Sequence, residues 1–388
     1  MTHHLVSRMQ PHRRSIFGEM SALAAETGAI NLGQGFPDTQ GPDLVRDAAL
    51  AAIAEGRGAQ YPPVHGLPEL RSAICSHQES WYGLSWDPAT DVVVTTGASE
   101  AITATVLAFV EPGDEVLILE PWFDLYSAAI DLAGGVRVSV PPVPGTFRPD
   151  PQALAARVTA RSRLLILNSP HNPTGVVFTA QELAALAEVA IAADLVVLSD
   201  EAYEHLWFDG SQHIPIATLP GMAERTITVG SAGKSLSFTG WKVGWATGPA
   251  DLIGAVRVIR QHLSYVSGGP FQWAVAQGLT DLPASHWVTF RESLAHQRDL
   301  LAEGLTTIGL RVHPSAGTYF LLTDITGLGY ASGEAFCADL PTRAGVVAIP
   351  VAPFCDDRAV GEAWVRWAFC KRPAVLAEAT GRLVAAFG

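Results

Sequence analysis

Lysine is scarce in this chain of 388 residues. Lysine and arginine together number 25, yet the only lysines are Lys234, Lys242 and Lys371. The first two lie close together, in a segment rich in glycine, serine and threonine that follows a strand-like apolar run. Chemistry that needs a side-chain amine therefore has few places on this chain. The segment 230–244 is the first candidate.

Positive charge and paired cysteines are also missing. The net charge of -13 argues against a nucleic-acid partner or an anionic membrane surface. The four cysteines show no C-x-x-C or C-x-x-H spacing, so we predict no metal and buried free thiols in a reducing cytoplasm. No apolar run is long enough to cross a membrane and the first ten residues are polar, so we predict neither a membrane span nor a secretory signal.

Apolar runs alternate with helical patterns from residue 91 onward. With 48% hydrophobic residues, the chain can bury one or two cores. Short β-branched runs between helices are typical of a parallel sheet covered on both faces. The sequence therefore predicts a doubly wound, mainly parallel α/β domain with strands over 92–96, 115–119, 137–140, 164–167, 195–199, 226–229 and 241–248.

The C-terminal third has a less regular pattern. A long helix over 285–308 leads to predicted strands over 310–313, 318–323, 346–349 and 364–369, with helices over 332–340 and 373–387. This order predicts a smaller α+β domain. We expect three parts: an N-terminal arm over 1–45 that packs with the small domain, a large domain over 46–285 that contains the segment 230–244, and the small domain over 286–388.

Three interpretations compete for the segment around Lys234. A P-loop requires the pattern G-x-x-x-x-G-K-[ST], but Thr228 stands where the first glycine should be. A solvated glycine-rich loop is the plainest alternative. The third is a lysine that forms a Schiff base, held on a turn of small residues so that a flat cofactor can approach the backbone.

Polar groups at the ends of other predicted strands favour the third interpretation. Asn168 ends one strand and Asp200 the next, while Gly97 precedes a helix over 101–110 whose N-terminus suits a phosphate. Ligands of such sheets bind at the carboxyl ends of the strands. A ring that carries a phosphate would satisfy these groups together.

At these positions the sequence resembles the fold-type I, pyridoxal-phosphate-dependent aminotransferases of class I/II, from about residue 16 to residue 387. The motifs that carry the resemblance are Gly33-Gln34-Gly35-Phe36-Pro37, Asn172-Pro173-Thr174-Gly175, Asp200-Glu201-x-Tyr203, Ser231-x-x-Lys234 and Val365-Arg366-Trp367. More narrowly, segments 169–173, 240–242, 348–350 and 354–355 are similar to the subgroup of kynurenine and methionine aminotransferases and actinobacterial N-succinyldiaminopimelate aminotransferases.

The resemblance implies catalytic and ring-binding roles for four residues. Lys234 would hold pyridoxal 5'-phosphate as a Schiff base and then move the proton between the substrate Cα and the cofactor. Asp200 would pair with the pyridine nitrogen and keep it protonated. Asn172 and Tyr203 would hydrogen-bond the ring O3′, and Asn172 would also face the substrate.

The resemblance also implies a phosphate site and a stacking partner. The phosphate would bind a charged ammonium, a hydroxyl and the N-terminus of a helix, as a dianion requires. One aromatic ring would stack on the cofactor. The implied residues are Gly97, Ala98, Ser99, Ser231 and Lys242 for the phosphate and Phe123 for the ring.

On the substrate side, the resemblance implies that Arg366 grips the α-carboxylate with its guanidinium fork, beside the backbone of Gly35 and the ring of Phe17. Tyr61 would reach into the partner's phosphate site, which implies a homodimer with shared active sites.

The expected reaction moves an amino group between an L-amino acid and a 2-oxo acid. Similarity favours N-succinyl-LL-2,6-diaminopimelate with 2-oxoglutarate and glutamate. A kynurenine, methionine or glutamine aminotransferase, with β-lyase activity on cysteine conjugates, is the alternative, and Phe17, Trp122 and Phe354 could line its site. The candidate cations for distal carboxylates are Arg14, Arg57, Arg71 and Arg358.

Overall fold

The structure, a computed structural model, describes residues 5–388, so residues 1–4 of the predicted arm lie outside it. The helices are α1 (Ile16–Thr27), α2 (Asp43–Ala54), α3 (Pro68–Tyr82), α4 (Gly97–Phe109), α5 (Asp124–Ala133), α6 (Pro151–Ala155), α7 (Ala180–Ala192), α8 (Ala232–Ser235), α9 (Ala250–Leu263), α10 (Gly269–Asp281), α11 (Ala284–Thr307), α12 (Gly333–Ala344), α13 (Arg358–Gly361) and α14 (Pro373–Phe387). The strands are β1 (Ile30–Asn31), β2 (Val92–Thr96), β3 (Glu115–Leu119), β4 (Val136–Val140), β5 (Ser162–Asn168), β6 (Val196–Asp200), β7 (Thr226–Ser231), β8 (Val243–Thr247), β9 (Arg311–Val312), β10 (Phe320–Asp324), β11 (Val346–Val347), β12 (Ile349–Pro350) and β13 (Trp364–Ala368).

A seven-stranded sheet forms the centre of the molecule, in the order β2-β8-β7-β6-β5-β3-β4. Strands β3 to β7 pair in parallel, whereas β8 runs antiparallel to both of its neighbours, β7 and β2. The predicted α/β fold with a mainly parallel, doubly wound sheet is confirmed. Because β8 is reversed, it begins at the edge where the parallel strands end.

Helices cover both faces of this sheet because side chains alternate along each strand. On β3, Val116 and Ile118 pack with residues of α4, α5 and α9, whereas Leu117 and Leu119 pack with residues of α7. Both sets are buried apolar clusters. The strand ends are therefore the part of the sheet where polar side chains can meet a ligand.

A second, antiparallel sheet has the order β12-β13-β10-β9. Phe320 and Leu321 of β10 and Val365 and Trp367 of β13 pack into one apolar cluster with α11, α12 and α14, whereas Leu322 of β10 packs with residues of the central sheet and α7. The predicted strand over 346–349 is divided between two sheets. Val346 and Val347 pair in parallel with β1, and Ile349 and Pro350 pair with β13, because the hydrogen-bonding partner changes at Ala348. The domain boundaries at 45 and 285 stay predictions.

Helix α4 begins earlier than the sequence pattern predicts. The residues 97–100, predicted as a turn before a helix over 101–110, form the first turn of the helix itself. The carboxylate of Glu100 accepts a hydrogen bond from the backbone N–H of Thr96 at 2.6 Å, which ties the strand end to this turn. The N–H groups of the first turn therefore lie directly at the edge of the sheet. Within residues 5–388, no helix is both long and apolar enough to cross a membrane.

Candidate active site

Four strands bring their polar ends to one edge of the central sheet. Asn168 ends β5 and Asp200 ends β6, and these two residues are paired in register. Ser231 ends β7 and pairs with Gly244 of the reversed strand β8. Lys242 immediately precedes β8, so its side chain starts at the same edge.

Asp200, Ser231 and Lys242 line one cavity of about 350 Å³, whereas Asn168 is not in its wall. Of the residues to which the resemblance assigns a catalytic, cofactor-binding or substrate-binding role, all except Tyr61 line it. The predicted residues in the wall are Phe17, Gly35, Gly97, Ala98, Ser99, Phe123, Asn172, Asp200, Tyr203, Ser231, Lys234, Lys242 and Arg366. Tyr61 lies outside this cavity, where its side chain is 79% exposed and its ring packs edge-on to that of Tyr265.

Lys234 lies on the short helix α8, which follows β7. Its Nζ is 5.8 Å from the ring centre of Tyr203 and 5.6 Å from that of Tyr319. Burial among these groups lowers the pKa of Lys234 to about 8. A larger share of the amine is therefore unprotonated near neutral pH than in an exposed lysine, as nucleophilic attack requires.

Asp200 is buried at the end of β6, and its carboxylate has two donors. Tyr126 donates its phenol O–H to Oδ2 at 2.6 Å, and the backbone N–H of Ala202 donates to Oδ1 at 3.1 Å. Burial raises the pKa of Asp200, while these donors and the charge of Lys234 act in the opposite direction. A buried carboxylate held in this way is suited to face a cationic ring nitrogen.

Asn168 links the two neighbouring loops. Its side-chain amide donates to the backbone carbonyl of Asp200 at 2.8 Å, and its side-chain oxygen accepts from the backbone N–H of Asn172 at 2.7 Å. Asn168 and Asn172 are both buried. The amide thus fixes the relative positions of the Asp200 carboxylate and the Asn172 side chain.

The edge beside α4 has the features of an anion site. Lys242 Nζ lies 3.4 Å from Ser99 Oγ, within the first turn of the helix. Gly97 has a φ of +72°, and a Cβ at this position would lie 3.3 Å from Lys242 Nζ. The absence of a side chain at residue 97 thus leaves the helix N-terminus open beside the ammonium, and both carry positive charge of the kind that binds anions.

Arg366 is buried on β13 and has a fixed orientation. Its Nη1 donates to Asn172 Oδ1 at 3.0 Å, and its Nη2 donates to the carbonyl of Gly33 at 2.7 Å. The guanidinium also lies 4.9 Å from the ring centre of Phe17 and 4.0 Å from that of Phe320. Burial lowers its pKa to about 10. Its Nε has no hydrogen-bond partner among the described residues, and each Nη nitrogen has a second N–H, so these two bonds leave three of the five N–H donors for a ligand.

A second, larger cavity of about 940 Å³ adjoins the first and shares Ser99, Phe123 and Asp124 with it. Arg14 and Arg358, two of the four candidate cations, line this second cavity. Arg57 and Arg71 line neither cavity. Arg57 pairs with Glu55, and Arg71 donates to backbone carbonyls of its own region.

The aromatic candidates occupy different places. Phe17 and Phe354 stack with ring centres 5.6 Å apart, at the wall between the two cavities. Phe123 meets the ring of Tyr126 edge-on at 5.8 Å. Trp122 is largely buried and packs under the guanidinium of Arg137, on the side of the second cavity.

The sequence patterns missed several residues in the wall and next to it. Tyr126 does not line the cavity but donates to Asp200 from a helix 74 positions earlier in the chain, and only its position three residues after Phe123 could have indicated it. Phe320 and Asp124 were missed as well. Phe320 lies on the buried strand β10 and lines the cavity with its ring, but an apolar residue in a buried strand gives no sequence signal that distinguishes it from the core.

A buried polar cluster lies next to α8 but outside the cavity. His77 Nε2 and His205 Nε2 share a hydrogen bond of 2.8 Å, and His205 Nδ1 lies 2.7 Å from the hydroxyl of Ser235. Tyr82 donates to Glu204 at 3.0 Å. His77, Glu204 and His205 could each offer a metal-ligand atom within 4.8 Å of the others, but the two imidazoles already bind each other.

Comparison with known proteins identifies the class. The family described as aminotransferase class I and II matches residues 27–383. The chain belongs to this family, so it is a transaminase, and the predicted family and enzyme class are confirmed.

Among individual relatives, the chain is 54% identical over 390 residues to the probable N-succinyldiaminopimelate aminotransferase DapC of Mycobacterium tuberculosis, with 97% of each chain covered. It is 38% identical over 369 residues to a methionine aminotransferase of Escherichia coli, with 95% of each covered. The solved structure of N-succinyldiaminopimelate aminotransferase from M. tuberculosis superposes with a TM-score of 0.96 at 53% identity, covering 99% of this chain and 100% of that one.

Proposed function

We propose that this transaminase uses pyridoxal 5'-phosphate and moves an amino group between N-succinyl-LL-2,6-diaminopimelate and 2-oxoglutarate, in the biosynthesis of diaminopimelate and lysine. The observation that carries the chemistry is the meeting of Lys234, Asp200 and Arg366 in one cavity. The donor is supported by the 54% identity with the mycobacterial relative over nearly the whole chain.

The wall of the cavity fits the proposed cofactor. The phosphate would bind at the first turn of α4, where Gly97 leaves space beside Lys242 and Ser231 lies at the end of β7. Asp200 would pair with the ring nitrogen, Phe123 would stack on the ring, and Asn172 and Tyr203 would bind its O3′. When bound, pyridoxal phosphate supplies an aldehyde that condenses with amines and a ring that accepts the electron pair from Cα.

Lys234 would act twice on this site. Its amine, with a lowered pKa, would first hold the cofactor and then, once displaced by the substrate amine, take the proton from Cα as a general base. The rings of Tyr203 and Tyr319 lie beside Nζ and make part of its surroundings apolar. A proton held there would be returned to the reacting carbons rather than lost to solvent.

Arg366 would bind the α-carboxylate of both substrates. Because Asn172 and Gly33 already orient its guanidinium, little conformational entropy would be lost on binding. Gly35 is held nearby, since its carbonyl accepts from the Tyr319 hydroxyl at 2.7 Å. The fixed carboxylate would align the Cα–H bond toward Lys234.

We further propose a homodimer in the cytoplasm. Tyr61 is exposed in its own chain, as a residue that completes the phosphate site of a partner must be. The four cysteines are buried and free, which fits a reducing compartment.

A second candidate function is transamination of methionine, kynurenine or glutamine, with elimination from cysteine conjugates on the side. The stacked pair Phe17 and Phe354 favours it, because it offers an apolar wall for an uncharged side chain.

A donor screen against 2-oxoglutarate tests the proposal. The purified, cofactor-loaded enzyme is expected to use N-succinyl-LL-2,6-diaminopimelate with a higher kcat/KM than methionine, kynurenine or glutamine. Turnover of methionine or kynurenine without turnover of the succinylated donor would establish the second candidate instead. Pyruvate release from a cysteine conjugate, without any oxo acid, would report elimination.

A further inference from the structure

We propose that the larger cavity beside the active site is a subsite for the distal end of the donor, and that Arg14 binds a carboxylate there. This inference rests on the proposed function, because it concerns the part of the succinylated donor that lies beyond the reacting amino acid. The ligand class is a long, acylated amino acid with carboxylates far from its reacting Cα.

The two cavities are arranged for a ligand that spans both. Arg366 lies in the wall of the first cavity, so the reacting end of the donor would be held there. Ser99, Phe123 and Asp124 belong to the walls of both cavities. The first cavity, at about 350 Å³, is also the proposed place of the cofactor. A long side chain would extend from it into the larger cavity of about 940 Å³.

Three arginines line the second cavity, and they differ in whether a carboxylate of the protein already binds them. The guanidinium of Arg137 is 2.5 Å from the carboxylate of Asp356, and that of Arg358 is 2.5 Å from Glu334. These two guanidiniums are already paired with carboxylates. A ligand carboxylate placed there would compete with an existing short ion pair.

Arg14 has no such close pair. Among residues 5–388, its only acidic neighbour within 4.0 Å is Glu19, at that limiting distance, and its side chain is 85% exposed. Its five N–H donors face water, and a carboxylate could bind two of them side by side. Because the side chain is so exposed, added salt would weaken this binding.

Asp124 lies in the wall that the two cavities share, so the side chain of the donor would pass it on the way from the first cavity to the second. It is partly buried, and this burial raises the pKa of its carboxyl, while the charges of Arg366 and His12 act in the opposite direction. Its carboxyl can accept a hydrogen bond from the N–H of an acylated amine. It would repel a carboxylate at the same place, so the distal acid groups would pass beyond it toward Arg14.

The test compares Arg14→Ala and Arg14→Gln with Arg13→Ala, whose exposed side chain does not line the cavity. Initial rates are measured with N-succinyl-LL-2,6-diaminopimelate and with methionine, each against 2-oxoglutarate. Both Arg14 variants should raise KM for the succinylated donor about three- to fivefold, the effect of losing an ion pair at an exposed site. The ratio of kcat/KM for this donor to that for methionine should fall by the same factor. Arg13→Ala should change this ratio less than about twofold.

Ionic strength supplies a second measurement. KM of the wild-type enzyme for the succinylated donor should rise with added salt, and the Arg14 variants should lose most of that dependence. An unchanged KM in both Arg14 variants, or an equal loss with both donors, would overturn the proposed subsite. If the wild-type enzyme does not use the succinylated donor at all, the proposed function fails instead.

Discussion

The phenol of Tyr126 donates a hydrogen bond to Oδ2 of Asp200 at 2.6 Å, from helix α5 to the end of strand β6. Both side chains are buried, so the donor replaces the water that the carboxylate lost on folding. The bond favours the ionised carboxylate, which is the form that can keep a pyridine nitrogen protonated. Tyr126 is thus a positioning residue for Asp200.

Replacing Tyr126 with phenylalanine should lower kcat roughly 10- to 100-fold, because Asp200 would lose a donor to its charged form in a buried place. Steady-state rates measure the effect on turnover. The absorbance of the bound cofactor measures the effect on the protonation of its pyridine ring. Tyr82→Phe is the matched control, since the Tyr82 hydroxyl donates to Glu204 outside the cavity. Equal kcat in the wild type and in Tyr126→Phe would contradict this role.

Gly97→Ala should weaken cofactor binding about tenfold, because the new Cβ would crowd the ammonium of Lys242 where the phosphate is proposed to bind. Gly83→Ala is the control. Gly83 ends α3 with a φ of +70°, close to that of Gly97, but has open space around its Cβ position.

Both glycine variants place alanine in the left-handed region, so both should lose about 1–2 kcal/mol of unfolding free energy. Titration of the cofactor-free enzyme with pyridoxal phosphate measures the loss of cofactor affinity, and urea unfolding measures the loss of stability. A normal affinity in Gly97→Ala would place the phosphate elsewhere.

Glu204 should make the fold less stable as the pH rises. Burial raises its pKa from 4.5 to about 8, so the native state holds a proton that the unfolded chain has already released. Its stabilising contribution is fully present below the unfolded pKa and is lost as the pH rises through the folded one.

Glu204→Gln cannot ionise and should therefore become more stable relative to the wild type between about pH 5 and about pH 8. Thermal or urea unfolding at several pH values measures this difference. Glu188→Gln, on the exposed face of α7, is the control and should leave the pH dependence unchanged. A difference between Glu204→Gln and the wild type that does not grow with pH would refute the prediction.

The buried strands of the central sheet were predictable because their apolar runs are short, β-branched and regularly spaced. The strand over 92–96 and the helix over 373–387 have the predicted bounds. The reversal of β8 could not be predicted, because an apolar strand buried on both faces has the same composition in either direction. β1 was not predicted, because its two residues are too few to show a period.

The residues of the site were predictable where chemistry restricts the residue type. The chain has only three lysines, so Lys234, just after a predicted strand, was an evident candidate for an amine. Asn168 and Asp200 end other predicted strands, so they could be expected at the same edge of the sheet. Tyr126 and Phe320 were not predictable in this way. Their positions depend on how α5 and β10 pack against distant strands, which only the tertiary structure fixes.

The most direct measurement locates the covalent attachment of the cofactor. The enzyme loaded with pyridoxal phosphate is reduced with borohydride, digested and analysed by peptide mass spectrometry, and Lys234→Ala is treated in parallel. We predict a single pyridoxyl-lysine at Lys234, and neither label nor turnover in Lys234→Ala. A label on Lys242 or Lys371, or transamination by Lys234→Ala at the wild-type rate, would contradict the proposed active site.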